Sequence, residues 1–343
     1  MRPLVARASR PPKRGGHRVS CLFRCLALCT LLVASAARAQ HWAIDDPGQG
    51  PVDLAPGADG AHELSGLTWA GGERYYAVSD DDGRLFQLGI AVDPTSGAIR
   101  RGVVGGVVSL PQANDLEGVA MGPDGSTVLV SDEVGPALRE YRLADGRLLR
   151  SALVPPLFTA SLRHNLGFEG LARDAHGALW TANEDALKVD GPTSSSSAGS
   201  LVRLQRFDAD LRPAGQWAYG LDPVDGQMVL PGRGTGLSEL VALPDGRLLG
   251  LERSLGIGGL RIRLYEVDVS AATDISALPS LLDAHVLPAK KQLLCERSSM
   301  RDNFEGAALG PPLADGSRSL LLVSDDGHDL AQTLYALRLH ARE

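Results

Sequence analysis

Cysteine is almost missing from this chain. Of four cysteines in 343 residues, Cys21, Cys25 and Cys29 fall within the first 39, and only Cys295 remains beyond them. A lone cysteine excludes an intramolecular disulfide and leaves Cys295 as a small buried core residue. Positive charge is equally scarce past that point. Eight of the 34 Lys and Arg lie in the first 39 residues with no acid beside them, so 26 basic residues then face 41 acidic ones, a net charge of −15. Such a surface cannot neutralise phosphates, which excludes nucleic acid as a partner, and it is better placed to hold cations. No apolar run after residue 39 is long enough to span a membrane. Helical periodicity is rare, and the Ser/Ala/Leu-rich part of 270–283 is the one candidate for a short helix. Catalytic landmarks are missing as well. There is no G-x-S-x-G elbow, and His62-Glu63 lacks the second histidine of H-E-x-x-H. Arg163-His164-Asn165 lacks the glycine and downstream arginine of a phosphatase nucleophile. The low-complexity run 191–200 lacks the lysine and helix of a phosphate cradle and reads as a flexible surface excursion.

The first 39 residues have the layout of a secretory signal peptide. Arg2, Arg7, Arg10, Lys13, Arg14 and Arg18 form a basic start, residues 25–35 an apolar centre, and Ala37-Arg38-Ala39 an A-x-A cleavage site. The expectation is a soluble periplasmic or secreted protein, monomeric, with no membrane span after cleavage. Residues 40–63, rich in Asp, Pro and Gly, read as a poorly regular lead-in to a domain over 64–343.

That domain is built on a repeat. Leu64-Ser65-Gly66-Leu67, Leu116-Glu117-Gly118-Val119, Phe168-Glu169-Gly170-Leu171, Leu237-Ser238-Glu239-Leu240 and Phe304-Glu305-Gly306-Ala307 each open an apolar run. A tight turn follows, usually Asp-Gly, and then a second apolar run with an acidic end, such as Ser131-Asp132-Glu133 or Ser324-Asp325-Asp326. Asp-Gly between two apolar runs is a hairpin signal. Two more strand-like runs follow in each unit, for example 84–92 and 99–110 in the first. The third runs alternate apolar with Arg, Glu or Gln, as half-buried strands do. Repeats of about 50 residues with four strands each are blades of a β-propeller. Five repeats are countable, and the two longest could hide a sixth. The last unit is one strand short, as in a propeller closed by its own N-terminal strand.

In a propeller the first strand of every blade lines the central channel. Glu117, Glu169 and Glu305 therefore converge at a channel mouth, with Asn114 and Asn303 upstream offering carbonyl oxygens. Facing carboxylates are costly unless protonated or bridged by a cation, and an all-oxygen set suits Ca²⁺ better than Zn²⁺. The same glutamates could instead be a fold-keeping device that accepts backbone amides of the next blade. The acidic second-strand ends (Asp80, Asp132, Glu133, Glu184, Asp325) are expected on the opposite rim. His164, five residues before Glu169, is a candidate acid or base. Arg163, Arg233 and Arg301 precede three of the copies and are candidates for binding an anionic substrate.

The ordered blocks Leu64-Ser-Gly-Leu67, Leu116-Glu-Gly118, Gly167-Phe-Glu-Gly170, Leu237-Ser-Glu-Leu240, Leu251-Glu-Arg253 and the run 302–326 resemble the exported phytase-like family, described by an esterase-like activity of phytase. The resemblance implies an all-β propeller and hydrolysis of a small-molecule ester or phosphate ester. It is similar in this respect to propellers that hold a cation on acidic mouth residues, which agrees with Glu117, Glu169 and Glu305 as cation ligands and Glu169 as a catalytic carboxylate. Two classes of function stay open: a metal-assisted ester or phosphoester hydrolase, and a non-catalytic propeller that binds a ligand or protein partner.

Overall fold

The glycines of the repeat turn the hairpins because their backbone is left-handed there. Gly125, Gly177, Gly246 and Gly316 have φ of 73°, 84°, 88° and 85°, a region in which a side chain is disfavoured. The preceding aspartates complete each turn: Asp124 accepts the Ser126 N–H at 2.9 Å and Asp315 the Ser317 N–H at 3.1 Å.

The computed structural model describes residues 41–55, 60–225, 234–256, 259–299, 302–325 and 331–342. Arg233, Arg301, Asp326 and residues 1–40, with the stretch read as a signal peptide, lie outside them. In chain order, β1 (His41–Asp45) and β2 (Val52–Asp53) precede blade one, made of β3 (Leu64–Trp69), β4 (Arg74–Ser79), β5 (Arg84–Val92) and β6 (Ile99–Ser109). Blade two is β7 (Leu116–Met121), β8 (Thr127–Asp132), β9 (Ala137–Arg142) and β10 (Leu148–Ser151). A single helical turn, α1 (Pro156–Ser161), leads to blade three: β11 (Ala172–Arg173), β12 (Leu179–Ala182), β13 (Leu201–Phe207) and β14 (Pro213–Gly220). Blade four is β15 (Thr235–Ala242), β16 (Leu248–Gly256), β17 (Gly259–Asp268) and β18 (Lys290–Ser299). Blade five holds β19 (Asn303–Pro312), β20 (Arg318–Asp325) and β21 (Thr333–Arg342).

Every sheet is antiparallel and runs in sequence order, and β1 completes blade five by pairing with β21 from His41↔Arg342 to Asp45↔Arg338. The blades therefore number five, and the closure by an N-terminal strand is as the missing last strand implied. That strand lies inside the segment read as an irregular lead-in, so the propeller begins at His41. Trp42 clamps it to blade four as well. Its N–H donates to Glu266 Oε2 at 3.0 Å and its indole to Asp245 Oδ2 at 2.8 Å.

The hydrophobic cores lie between neighbouring blades. Blades one and two share Val78, Leu116 and Val130; two and three share Leu129, Phe168 and Leu179; three and four share Ala182, Tyr219 and Leu240. Blades four and five share Leu251, Leu264 and Leu320, with Cys295 buried there, and Leu64, Phe86 and Leu321 close the ring from five back to one. Each interface buries aliphatic side chains whose truncation costs about 2–5 kcal/mol apiece.

Two local expectations are corrected. The stretch 270–283 forms turns instead of a helix, because Pro279 interrupts it and Asp274 caps the Ser276 N–H at 2.8 Å. The helix present is α1, where Pro156 supplies the first-turn backbone angle. The serine-rich run 191–200 is tied down at both ends. Asp185 accepts the Ser194 N–H at 3.0 Å and the Ser200 hydroxyl, and both serines are buried. Among the described residues no helix is long and apolar enough to cross a membrane.

Candidate functional site

The hairpin that opens each blade decides where its charges go. The start of the first strand pairs with the end of the second: Leu116 with Asp132, Leu237 with Glu252, Phe304 with Ser324, Leu64 with Ser79, and Phe168 with Asn183 through an isolated bridge. An antiparallel pair turned at one end brings both free ends to the other. The acidic second-strand ends therefore share a rim with Glu117, Glu169 and Glu305, which corrects their expected place on the opposite rim.

Two sets of charges meet at this mouth. The second residue of each repeat block contributes Glu117, Glu169 and Glu305, with Ser65 and Ser238 at the other two blades. The residue after each of those second-strand partners contributes Asp80, Glu133, Glu184 and Asp325, and Arg253 stands at the same place in blade four. Asp115 joins from the loop before β7. One oxygen from each of Asp115, Glu117 and Glu133 lies within 4.8 Å of the others, and the same holds for Glu133, Glu169 and Glu184. Glu133 belongs to both triads. It is 1% exposed, its Oε1 accepts the Gly167 N–H at 2.9 Å, and its Oε2 is buried with no hydrogen-bond partner. Arg253 reaches Glu305 at 2.5 Å, Glu184 at 3.1 Å and the Asn303 carbonyl oxygen at 3.3 Å. Asn303 in turn donates to Glu305 and Asp325, each at 2.9 Å.

Burial and mutual repulsion raise these acids together. Asp80 is pushed up to about 8 by burial and then by Asp325, Glu305 and Asp115. Glu133 also reaches about 8 through burial and the Glu184 and Asp115 charges, although the Gly167 N–H pulls the other way. Glu305 rises to about 7 by burial, held back by Arg253. Glu117 and Glu169 are driven well above the usual carboxylate range by burial and by the carboxylates around them. Burial alone would depress Arg253, but Glu305, Glu184, Glu169 and Glu117 outweigh it and hold the guanidinium charged.

Of the residues singled out from the sequence, Glu117, Glu169, Glu305 and Asn303 stand together at the mouth. Asn114 is exposed on its edge, where its N–H donates to Asp132 Oδ2 at 3.3 Å. The Arg163 guanidinium donates to the Ala186 and Gly191 carbonyls at 2.9 and 2.8 Å, holding the blade-three insertion. His164 is exposed on the loop before Glu169. Arg253 was not singled out, yet its signal was visible: a base stands in blade four where the other copies carry an acid.

Glu239 was also passed over. It occupies the third position of the repeat block, where the other blades carry Gly66, Gly118, Gly170 and Gly306. Those glycines let neighbouring strands touch backbone to backbone. A Cβ on Gly118 would lie 2.4 Å from the Leu171 nitrogen, and one on Gly306 would lie 2.2 Å from the Ser65 carbonyl oxygen. The Glu239 carboxylate accepts N–H groups of Leu171 at 3.0 Å, Leu240 at 2.9 Å and Ala307 at 3.4 Å, and that of Leu67 as well. Burial raises it to about 8 while those amides pull it down. Past this level the inner strands of all five blades enclose a cavity of about 250 Å³, lined by Trp69, Met121, Arg173, Val241 and Leu309 among others.

Solved structures with a similar chain trace come from several bacteria. Hydrazine synthase of Kuenenia stuttgartiensis aligns at 11% identity and a TM-score of 0.38, covering 76% of this chain and only 56% of that one. Glutaminyl cyclase of Myxococcus xanthus aligns at 13% identity and 0.44, covering 89% and 98%. Regucalcin of Agrobacterium tumefaciens, a calcium-binding protein, aligns at 16% identity and 0.44, covering 85% and 97%. No curated protein sequence matches significantly. The family model described as "Phytase-like: Esterase-like activity of phytase" matches residues 60–328, a span that takes in every inner strand and every acid of the mouth. The chain belongs to the phytase-like family.

Proposed function

We propose that this protein is an exported, calcium-assisted hydrolase of a small-molecule ester or phosphate ester, with the acidic mouth as its site. The observation that carries the reading is the pair of carboxylate triads sharing Glu133, whose buried Oε2 has no hydrogen-bond donor. An orphaned buried carboxylate oxygen is expensive unless a cation or a proton satisfies it. The donor set fits a hard cation, since the triads offer carboxylate oxygens alone. Asp115, Glu117, Glu133, Glu169 and Glu184 would hold the ion. When bound, the ion would polarise the ester or phosphoryl oxygen and acidify a bound water.

The chain's own residues supply the rest. Arg253 lies against Glu184 and Glu305 at the edge of the triads, where its guanidinium can orient an anionic substrate group. Glu169 has Glu117, Glu184, Glu133 and Glu305 around it, so it is the carboxylate most central to the mouth and the one we assign to proton transfer. Asn303 keeps Glu305 and Asp325 in place. We propose further that the mature protein acts outside the cytoplasm as a monomer, without nucleic acid.

The test is metal content of the purified mature protein, with hydrolysis of an aryl ester and an aryl phosphate measured before and after chelation. Stoichiometric calcium and chelator-sensitive turnover are expected. Glu169→Gln should lower kcat by about 100-fold with the melting temperature little changed. No bound ion and no turnover on either substrate would replace this reading with that of a binding propeller.

A further inference from the structure

A carboxylate that accepts backbone N–H groups from four blades at once has no local cause. Leu240 is its own neighbour, but Leu171, Ala307 and Leu67 belong to blades three, five and one. Each is the fourth residue of the four-residue block that opens its blade, so the four lie at one level of the ring. The inner strand is the edge of its sheet in every blade, so amides on its open side have no ladder partner. The ladder of blade three is interrupted between Phe168 and Ala172. A buried N–H must find an acceptor. One carboxyl group, with about four lone-pair directions when ionised, satisfies the set. Gly170 leaves room for the Glu239 side chain, whose Oε1 would lie 2.1 Å from a Cβ there, and Glu239 is 1% exposed.

We propose that the N–H groups of Leu67, Leu171, Leu240 and Ala307 form a carboxylate-binding site on the propeller axis, which Glu239 fills from within and thereby seals the channel. The acidic mouth, built from the second residues of the repeat blocks, and the 250 Å³ cavity, which starts at the fourth, become separate chambers. Ions and substrate then reach the mouth from one side alone. This holds whether or not the mouth carries a cation.

The site can be emptied and refilled. Glu239→Gly gives blade four the residue of the other four blades and removes a fragment the size of propionate. The expected result is a lowered melting temperature that formate, acetate or propionate restores, propionate most effectively, by roughly 5 °C at a hundredfold excess over its dissociation constant. Wild-type protein should not respond to the same salts beyond a chloride control. Glu239→Gln keeps the volume but turns an N–H₂ toward the amide donors, so it should melt lower than wild type and show no carboxylate rescue. Two outcomes would overturn the proposal. One is Glu239→Gly, folded or not, that is insensitive to all three carboxylates; the other is Glu239→Gln as stable as wild type.

Discussion

Blades two and three treat their acids differently from blade four, although all three derive from one repeat. Blades two and three place two glutamates each at the mouth: Glu117 with Glu133, and Glu169 with Glu184. Their neighbours are other carboxylates, and one oxygen of Glu133 has no donor at all. Blade four has serine where they have glutamate, arginine where they have the second acid, and glutamate where they have glycine. Its acid is surrounded by amide donors instead of by other acids. A carboxylate that meets neutral donors contributes to the fold without outside help. Carboxylates that meet each other need a proton, Arg253 or a cation. The charge imbalance of the mouth is therefore a property of which blade carries which residue.

The most severe way to break this contrast is to remove the base that blade four lends to the mouth. Arg253→Met should cost about 3 kcal/mol in calcium-free buffer, since breaking a half-buried ion pair strands the carboxylates it neutralises. Calcium should restore part of that loss in thermal denaturation, and a variant as stable as wild type without calcium would remove Arg253 from the account. The backbone contacts between blades come next. Gly118→Ala places a Cβ 2.4 Å from the Leu171 nitrogen, a clash with main chain that should cost about 3 kcal/mol. Chemical denaturation measures it, and a neutral effect would show that the ring is looser than drawn.

The acids themselves predict a pH dependence. Asp80, Glu133 and Glu239, raised to about 8, and Glu305, raised to about 7, keep protons that unfolded carboxyls lose much lower on the pH scale. Between roughly pH 4.5 and pH 8 the folded state then binds more protons than the unfolded state, so stability falls as pH rises through that window. In calcium-free protein the melting temperature should fall steadily across that window. Calcium should flatten the profile, and its binding near pH 7 should release protons, visible as a buffer-dependent enthalpy. Stability that rises across this window without calcium would mean the acids are ionised and satisfied some other way. The smallest effect concerns a stitch between the two acidic blades. The Ser131 hydroxyl donates to the Glu169 carbonyl at 2.6 Å, and Ser131→Ala should cost about 1 kcal/mol with calcium affinity unchanged, as a titration would show.

Much of this molecule can be read from residue order. Asp-Gly turns between apolar runs mark the hairpins because positive φ and hydrophobic alternation are local demands. The recurrence of Leu-Glu-Gly and Phe-Glu-Gly marks the blades because each inner strand meets the same environment. The short last unit marks the closure, and a glutamate repeated at one blade position already points to convergence on an axis. What tertiary structure decided is which groups meet. The sharing of one rim by Glu117 and Glu133 follows from strand pairing, and the blade-three loop is held by Arg163 through carbonyls 23 and 28 residues away. Arg253 finds Glu184 and Glu305 across two blade boundaries, and Glu239 finds amides of blades one, three and five. Local periodicity places a residue on a strand and a face. Contacts between blades depend on how the closed ring brings those strands together, and only the folded ring sets that distance.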